Sequence, residues 1–133
     1  MEKKLSESPS TFVSLFSGAG GLDLGLEASG WNCAYASDNY GPAVQTLQAN
    51  AGRRIGHRRF AFAGAVIEQA DVTDLTPGEV LSRAGLSKGG AQLLVGGPPC
   101  QSWSSAGHQM GFDDPRGRLF DEFVRIANGL DVR

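Results

Sequence analysis

The stretch TFVSLFSGAGGLDLGLEASG, residues 11 to 30, decides the fold. TFVSLF is short and rich in β-branched and aromatic residues, and SGAGG closes it, so it reads as a buried strand followed by a tight glycine turn. GLDLGLEASG then reads as a helix with Leu22, Leu26 and Ser29 roughly on one face and Gly30 as its stop. A strand entering a glycine loop and then a helix lets backbone amides face a ligand with no side chains in the way, the geometry used for nucleotides. Gly18, Gly20, Gly21 and Gly25 give G-x-G-G-x-x-x-G rather than G-x-G-x-x-G, so this loop taken alone also fits a plain tight turn.

The unit repeats outward from there. NCAYAS (32–37) is a second apolar run ending at Asp38, and PAVQTLQAN follows with Pro42 in a first helical turn and Val44, Leu47 and Ala51 at helical spacing. AVIEQADV (65–72) is a weaker third strand, PGEVLSRAGL (77–86) a proline-started helix, QLLVGG (92–97) a fourth strand and GRLFDEFVRIANGL (117–130) a fourth helix. Strands alternating with helices over short links imply right-handed βαβ units, hence an α/β fold with a parallel sheet and helices on both faces. Ligands gather beyond the carboxyl ends of such strands, where SGAGG, Asp38, Asp71 and GGPPC would all lie.

At 133 residues the chain has room for one ordinary domain, and no apolar run approaches the roughly 18–20 residues that span a bilayer. Residues 1–10 read as a flexible leader without an apolar signal core, and 11–133 as the folded part. The net charge of −2 gives no sign of the broad basic surface expected of a self-sufficient duplex binder. RRIGHRR (53–59), the one basic run, lies on a connection returning to the amino end of a strand and reads as a solvated loop away from the ligand edge. Cys33 and Cys100 form no C-x-x-C pair, which argues against a structural metal site or a disulfide framework and suits a reducing cytoplasm.

Asp38 lies 18 residues beyond Gly20, about where an acid reaches ribose hydroxyls in dinucleotide and adenosine sites. Asp71 and Val72, at the end of the third strand, offer a carboxylate and an apolar side chain to an adenine. Cys33 reads as a small buried hydrophobe. Cys100 differs, because Pro98 and Pro99 cannot extend a ladder and so stop the strand and present the thiol at the ligand edge.

FSGAGGLDLGL, Asp38, ADVTDL, GGPPCQSWSSAG and DDPRGRLFDEFVRI together resemble the amino-terminal half of DNA (cytosine-5) methyltransferases, from Phe12 to Arg133. The resemblance implies a Rossmann-like, S-adenosylmethionine-dependent methyltransferase fold with an incomplete parallel sheet, and methyl transfer from that cofactor to carbon 5 of cytosine in DNA. Cys100 would be the nucleophile that adds to cytosine carbon 6. Because a stacked base is out of reach, the target cytosine would be flipped out, with QSWSSAGHQMGFDDPRG as a moving cover and Gln101, Ser104 and Arg116 approaching the nucleic acid.

By the same resemblance Phe16, Ser17, Gly18, Ala19, Gly20 and Gly21 would line the cofactor, Asp38 and Asn39 its ribose and base edge, Asp71 and Val72 the adenine, with Pro99 and Leu119 beside it. The family commonly has glutamate and a bulky apolar residue where this chain has Asp38 and Asn39. The chain stops before the family's next strand, which carries Glu-Asn-Val, and before its target-recognition region. A complementary carboxyl-terminal chain, or else self-association, is therefore expected to cover the edge of QLLVGG. Methylation of cytosine in transfer RNA and a non-catalytic cofactor-binding module remain open as alternatives, and neither membrane nor metal is expected.

Overall fold

The computed structural model describes residues 8–55, 59–99 and 117–132. Four parallel strands form one sheet in the order β5-β2-β1-β6: β1 is Thr11–Leu15, β2 Asn32–Asp38, β5 Val66–Gln69 and β6 Leu93–Gly96. Among the described residues four α-helices connect and cover them: α1 Gly21–Ala28, α2 Gly41–Asn50, α3 Pro77–Ala84 and α4 Arg118–Leu130. This is the α/β architecture expected from the alternation of strand and helix.

Side chains alternate across the sheet and feed two cores, as period-two geometry requires. Val13, Leu15, Tyr35 and Leu94 meet Val80 of α3 and Ile126 and Leu130 of α4 on one face. Phe12, Cys33 and Ala36 meet Leu47 of α2 on the other, with Leu26 of α1 against them. Each fully buried Leu or Phe contributes about 1.5–3 kcal/mol by leaving water. The β1–β2 register slips between Phe12, opposite Cys33, and Val13, opposite Tyr35, so Ala34 is an extra residue in β2. That bulge is why Cys33 and Ala36, three apart, share one face.

Local signals behave as expected at most helix ends. Gly30 follows α1 with φ 102°, Pro42 lies in the first turn of α2, and Thr76 and Glu79 form a reciprocal capping box on α3. Gly96 has a different reason to be glycine: an added Cβ would come within 2.1 Å of the Leu15 carbonyl and 2.9 Å of the Phe123 ring, so only a bare backbone lets α4 cross β6.

Two expectations need correction, and a third feature was not foreseen. The third strand ends at Gln69, and Asp71 instead caps a short 3-10 turn, Val72–Asp74, by accepting the Thr73 N–H. The basic run is in part a hairpin, β3 (Arg54–Ile55) paired antiparallel with β4 (Arg59–Phe60), because Gly52 and Arg53 exchange backbone hydrogen bonds with Ala61 and start the pairing. Finally, the buried face of α1 carries Asp23 and Glu27, while Leu22 is 59% exposed. Polar partners in the sheet reverse the helix's apparent polarity: Ser14 donates to Asp23, and the Cys33 N–H donates to Glu27.

Candidate cofactor-binding site

At the carboxyl ends of β1, β2 and β5 the chain makes three closely spaced turns. Leaving β1, Phe16 and Gly18 adopt φ 51° and 56°, and Gly20 takes 87° as the cap of α1. Glycine tolerates that region freely; Phe16 does so at a cost of about 1–3 kcal/mol and is held there by its neighbours. At Gly20 an added Cβ would fall 2.2 Å from Leu47 Cδ1, so the loop lies directly on α2.

Hydrogen bonds tie this loop to the end of β2. The Ser17 N–H donates to the Ser37 carbonyl at 3.0 Å, and the Gly18 N–H donates to Asp38 Oδ2 at 2.8 Å. The other Asp38 oxygen accepts the Tyr40 N–H at 2.9 Å. Both carboxylate oxygens are thus oriented by backbone donors, and each keeps a free lone pair for a ligand hydroxyl. Asn39 is exposed, and its carbonyl accepts from the Gln69 amide at 3.0 Å.

The third turn carries Asp71. Its Oδ1 accepts both the hydroxyl (2.7 Å) and the N–H (2.9 Å) of Thr73, which hold this carboxyl below its ordinary pKa. Arg125 on α4 supports the turn from beneath: its guanidinium donates to the carbonyls of Val72 (3.0 Å) and Leu75 (2.8 Å) and is itself held by Glu122.

These turns enclose a cavity of about 160 Å³. Phe16, Val72 and Leu119 supply apolar walls, and Asp38, Asn39 and Asp71 supply polar groups at its sides. That is smaller than the roughly 300–1,000 Å³ of a complete ligand pocket, so it suits one end of an extended molecule. Six of the expected residues therefore meet around one cavity. Ser17, Gly18, Ala19, Gly20, Gly21 and Pro99 do not line it, although Gly18 reaches it indirectly through Asp38.

Sequence reading missed Ser37, Thr73 and Ala70, which also line the cavity, and Arg125 beneath it. Thr73 had a signal, since Asp-x-Thr is a self-capping turn pattern. Arg125 had none, because its partners lie 50 and 53 positions away.

β6 runs parallel to β1 with Gly96 opposite Leu15, so the chain leaves β6 on the same edge of the sheet as the glycine loop. Gly97, Pro98 and Pro99 follow. Cys100, Gln101, Ser104 and Arg116, with the expected cover between them, lie outside the described residues. Cys33 is a fully buried thiol whose pKa is pushed up, first by burial and then by the nearby Asp23 and Glu27. Among the described residues no three His, Cys, Asp or Glu side chains gather as a metal-binding group, and no helix is long and apolar enough to cross a membrane.

Comparison with known proteins shows the family and the fold. The chain is 39% identical over 127 residues to the Type II methyltransferase M.AquIA of Picosynechococcus sp., covering 96% of this chain and 44% of that protein. It is 37% identical over 119 residues to the Type II methyltransferase M.MthTI of Methanothermobacter thermautotrophicus, covering 90% of this chain and 30% of that protein. Among solved structures, one described as a DNA modification methyltransferase encoded within an E. coli prophage superposes with a TM-score of 0.69 at 27% identity, over 92% of this chain and 30% of that one. The S. pombe Dnmt2 methyltransferase, at 20% identity and a TM-score of 0.58, shares the fold. The chain thus spans less than half the length of these relatives. The family model for C-5 cytosine-specific DNA methylases matches residues 10–131. The chain belongs to the C-5 cytosine-specific DNA methylase family.

Proposed function

We propose that this chain supplies the cofactor-binding and nucleophile-bearing part of an enzyme that methylates carbon 5 of cytosine in DNA. The observation that carries the reading is the cavity between Phe16, Asp38, Val72 and Leu119. Its apolar walls suit an adenine and its oriented carboxylate suits ribose hydroxyls, which is the adenosine end of S-adenosylmethionine. When bound, that cofactor supplies an electrophilic methyl group on a sulfonium.

The rest is the work of protein groups. Asp38 would hold the ribose and Phe16, Val72 and Leu119 the base, with Asp71 at the rim; the amides of the Phe16–Gly21 loop would face the remainder. Cys100, in the Gly-Pro-Pro-Cys-Gln sequence after β6, would add as a thiolate to carbon 6 of a flipped-out cytosine. The ring electrons would then move to carbon 5, which would take the methyl group as the sulfonium S–C bond breaks to leave a neutral thioether; a base would remove the carbon 5 proton as the thiolate leaves. Gln101, Ser104 and Arg116 would contact the nucleic acid. The buried, proton-bound Cys33 is unsuited to this role.

Among the described residues β6 pairs only with β1, and its outer edge is open. That edge supports pairing with a complementary carboxyl-terminal methyltransferase segment, on which full activity would depend, in the cytoplasm where the DNA is accessible. The test is trapping. The chain, the complementary segment, cofactor and a duplex containing 5-fluorocytosine are expected to give an adduct on Cys100 by mass spectrometry. An adduct that persists undiminished in Cys100→Ala refutes the assignment, and equal trapping by an RNA target would move the substrate class.

A further inference from the structure

Asp23 is 1% exposed although it lies in the first turn of α1 between two exposed leucines. Its Oδ1 accepts the Ser14 hydroxyl at 2.7 Å, while its Oδ2 is buried with no hydrogen-bond partner among the described residues. An orphaned buried carboxyl oxygen works against stability, and Glu27 one turn along α1, also buried, adds like charge. Packing therefore gives no reason to retain an acid here, and the reaction outlined above does not use it.

Counting protons shows what it does. Ser14 has one hydroxyl proton, and Asp23 takes it. With Asp23 ionised and Ser14 donating to it, the 2.8 Å contact between the Ser14 and Ser17 hydroxyls is donated by Ser17, whose own hydroxyl also helps to hold the Asp23 pKa down. Each link polarises the next, so the Ser17 proton is committed inward and its oxygen remains an acceptor. Ser17 is also the residue whose N–H holds Ser37 and whose carbonyl holds the Gly20 N–H. One chain of bonds thus runs from the buried acid through β1 into the glycine loop.

We infer that Asp23 is a positioning residue for the cofactor: through Ser14 it locks Ser17, fixes the Phe16–Gly20 loop, and leaves Ser17 Oγ as an acceptor for an N–H donor of the bound molecule. This rests on the cofactor reading given above. Asp23→Asn is the informative change, because the amide keeps the shape but can donate to Ser14 and reverse the chain.

The experiment uses the chain with its complementary segment and three readouts. In calorimetry, S-adenosylmethionine affinity is expected to fall about tenfold in both Asp23→Asn and Ser17→Ala, with the double variant little worse than either. The urea midpoint at neutral pH should hold or rise in Asp23→Asn, since an orphaned acid has gone, whereas a merely structural role would lower it. Without cofactor, amide exchange at Ser17, Gly18 and Gly20 should quicken several-fold. Wild-type binding with unchanged affinity and exchange in Asp23→Asn overturns the inference, as do additive losses in the double variant. If the wild type binds no cofactor, the functional reading fails, and the exchange rates still decide whether Asp23 fixes the loop.

Discussion

The Gly18 N–H donates to Asp38 Oδ2 at 2.8 Å, and this bond joins two strand ends 20 residues apart into one site. It makes the carboxylate part of the glycine loop's support as well as a ligand for hydroxyls. Asp38→Asn would turn an amide N–H₂ toward one of two backbone donors. We expect a loss of about 1–3 kcal/mol of stability by urea unfolding, and at least a tenfold loss of cofactor affinity by calorimetry. Stability loss without affinity loss would separate the two roles and remove Asp38 from the ligand.

The two positive-φ glycines of that loop should respond differently to alanine. At Gly18, φ is 56° and nothing lies within 4 Å of an added Cβ, so Gly18→Ala should cost only the left-handed strain of about 1–2 kcal/mol. At Gly20 the same strain is joined by overlap with Leu47, itself 1% exposed and unable to move freely. Gly20→Ala should lose about 1–3 kcal/mol more than Gly18→Ala in parallel thermal or urea melts. Equal losses would show that the loop lifts easily from α2.

Arg125→Met keeps the aliphatic stem and strands two carbonyls of the turn that carries Val72. A stability loss of about 1–3 kcal/mol is expected, with faster amide exchange at Thr73 and Leu75 and a several-fold weaker cofactor. Arg125→Lys should recover part of each. Undisturbed exchange at the turn would contradict the support described above.

Two aspartates set opposite pH dependences. Burial raises the Asp23 pKa, against the lowering effect of its serine bonds and with Glu27 adding like charge; Cys33 on β2 is the other titratable group nearby. A raised folded-state pKa means that its contribution to stability is fully present below the unfolded value near 3.8 and is lost as pH climbs through the folded value. Asp71, lowered by Thr73, contributes stability above its unfolded value and loses it as pH falls through the folded one. Urea midpoints measured against pH should therefore decline less on the alkaline side of the acid range in Asp23→Asn than in wild type. In Asp71→Asn they should decline less toward strong acid. Parallel curves for all three proteins would sink both assignments.

Much of the molecule was legible because its signals are local. TFVSLF followed by SGAGG, the prolines at helix starts and Gly30 each act within a few residues, so the order of strands and helices and the α/β class follow from the chain alone. The convergence of Phe16, Asp38 and Val72 was legible too, since parallel strands joined by right-handed crossovers must end on one edge.

What the chain did not reveal are relations between distant residues. Hydrophobic spacing did not show that α1 turns Asp23 and Glu27 inward, because a helix with Leu at 22, 24 and 26 shows nothing of the serine on β1 or the Cys33 amide on β2 that draw them in. The extra residue at Ala34, the hairpin begun by Gly52 and Ala61, and the reach of Arg125 to Val72 are of the same kind. Backbone preference and periodicity are properties of neighbours in sequence and determine the elements. Hydrogen-bond partners for buried polar groups are properties of neighbours in space, and only the assembled sheet decides them.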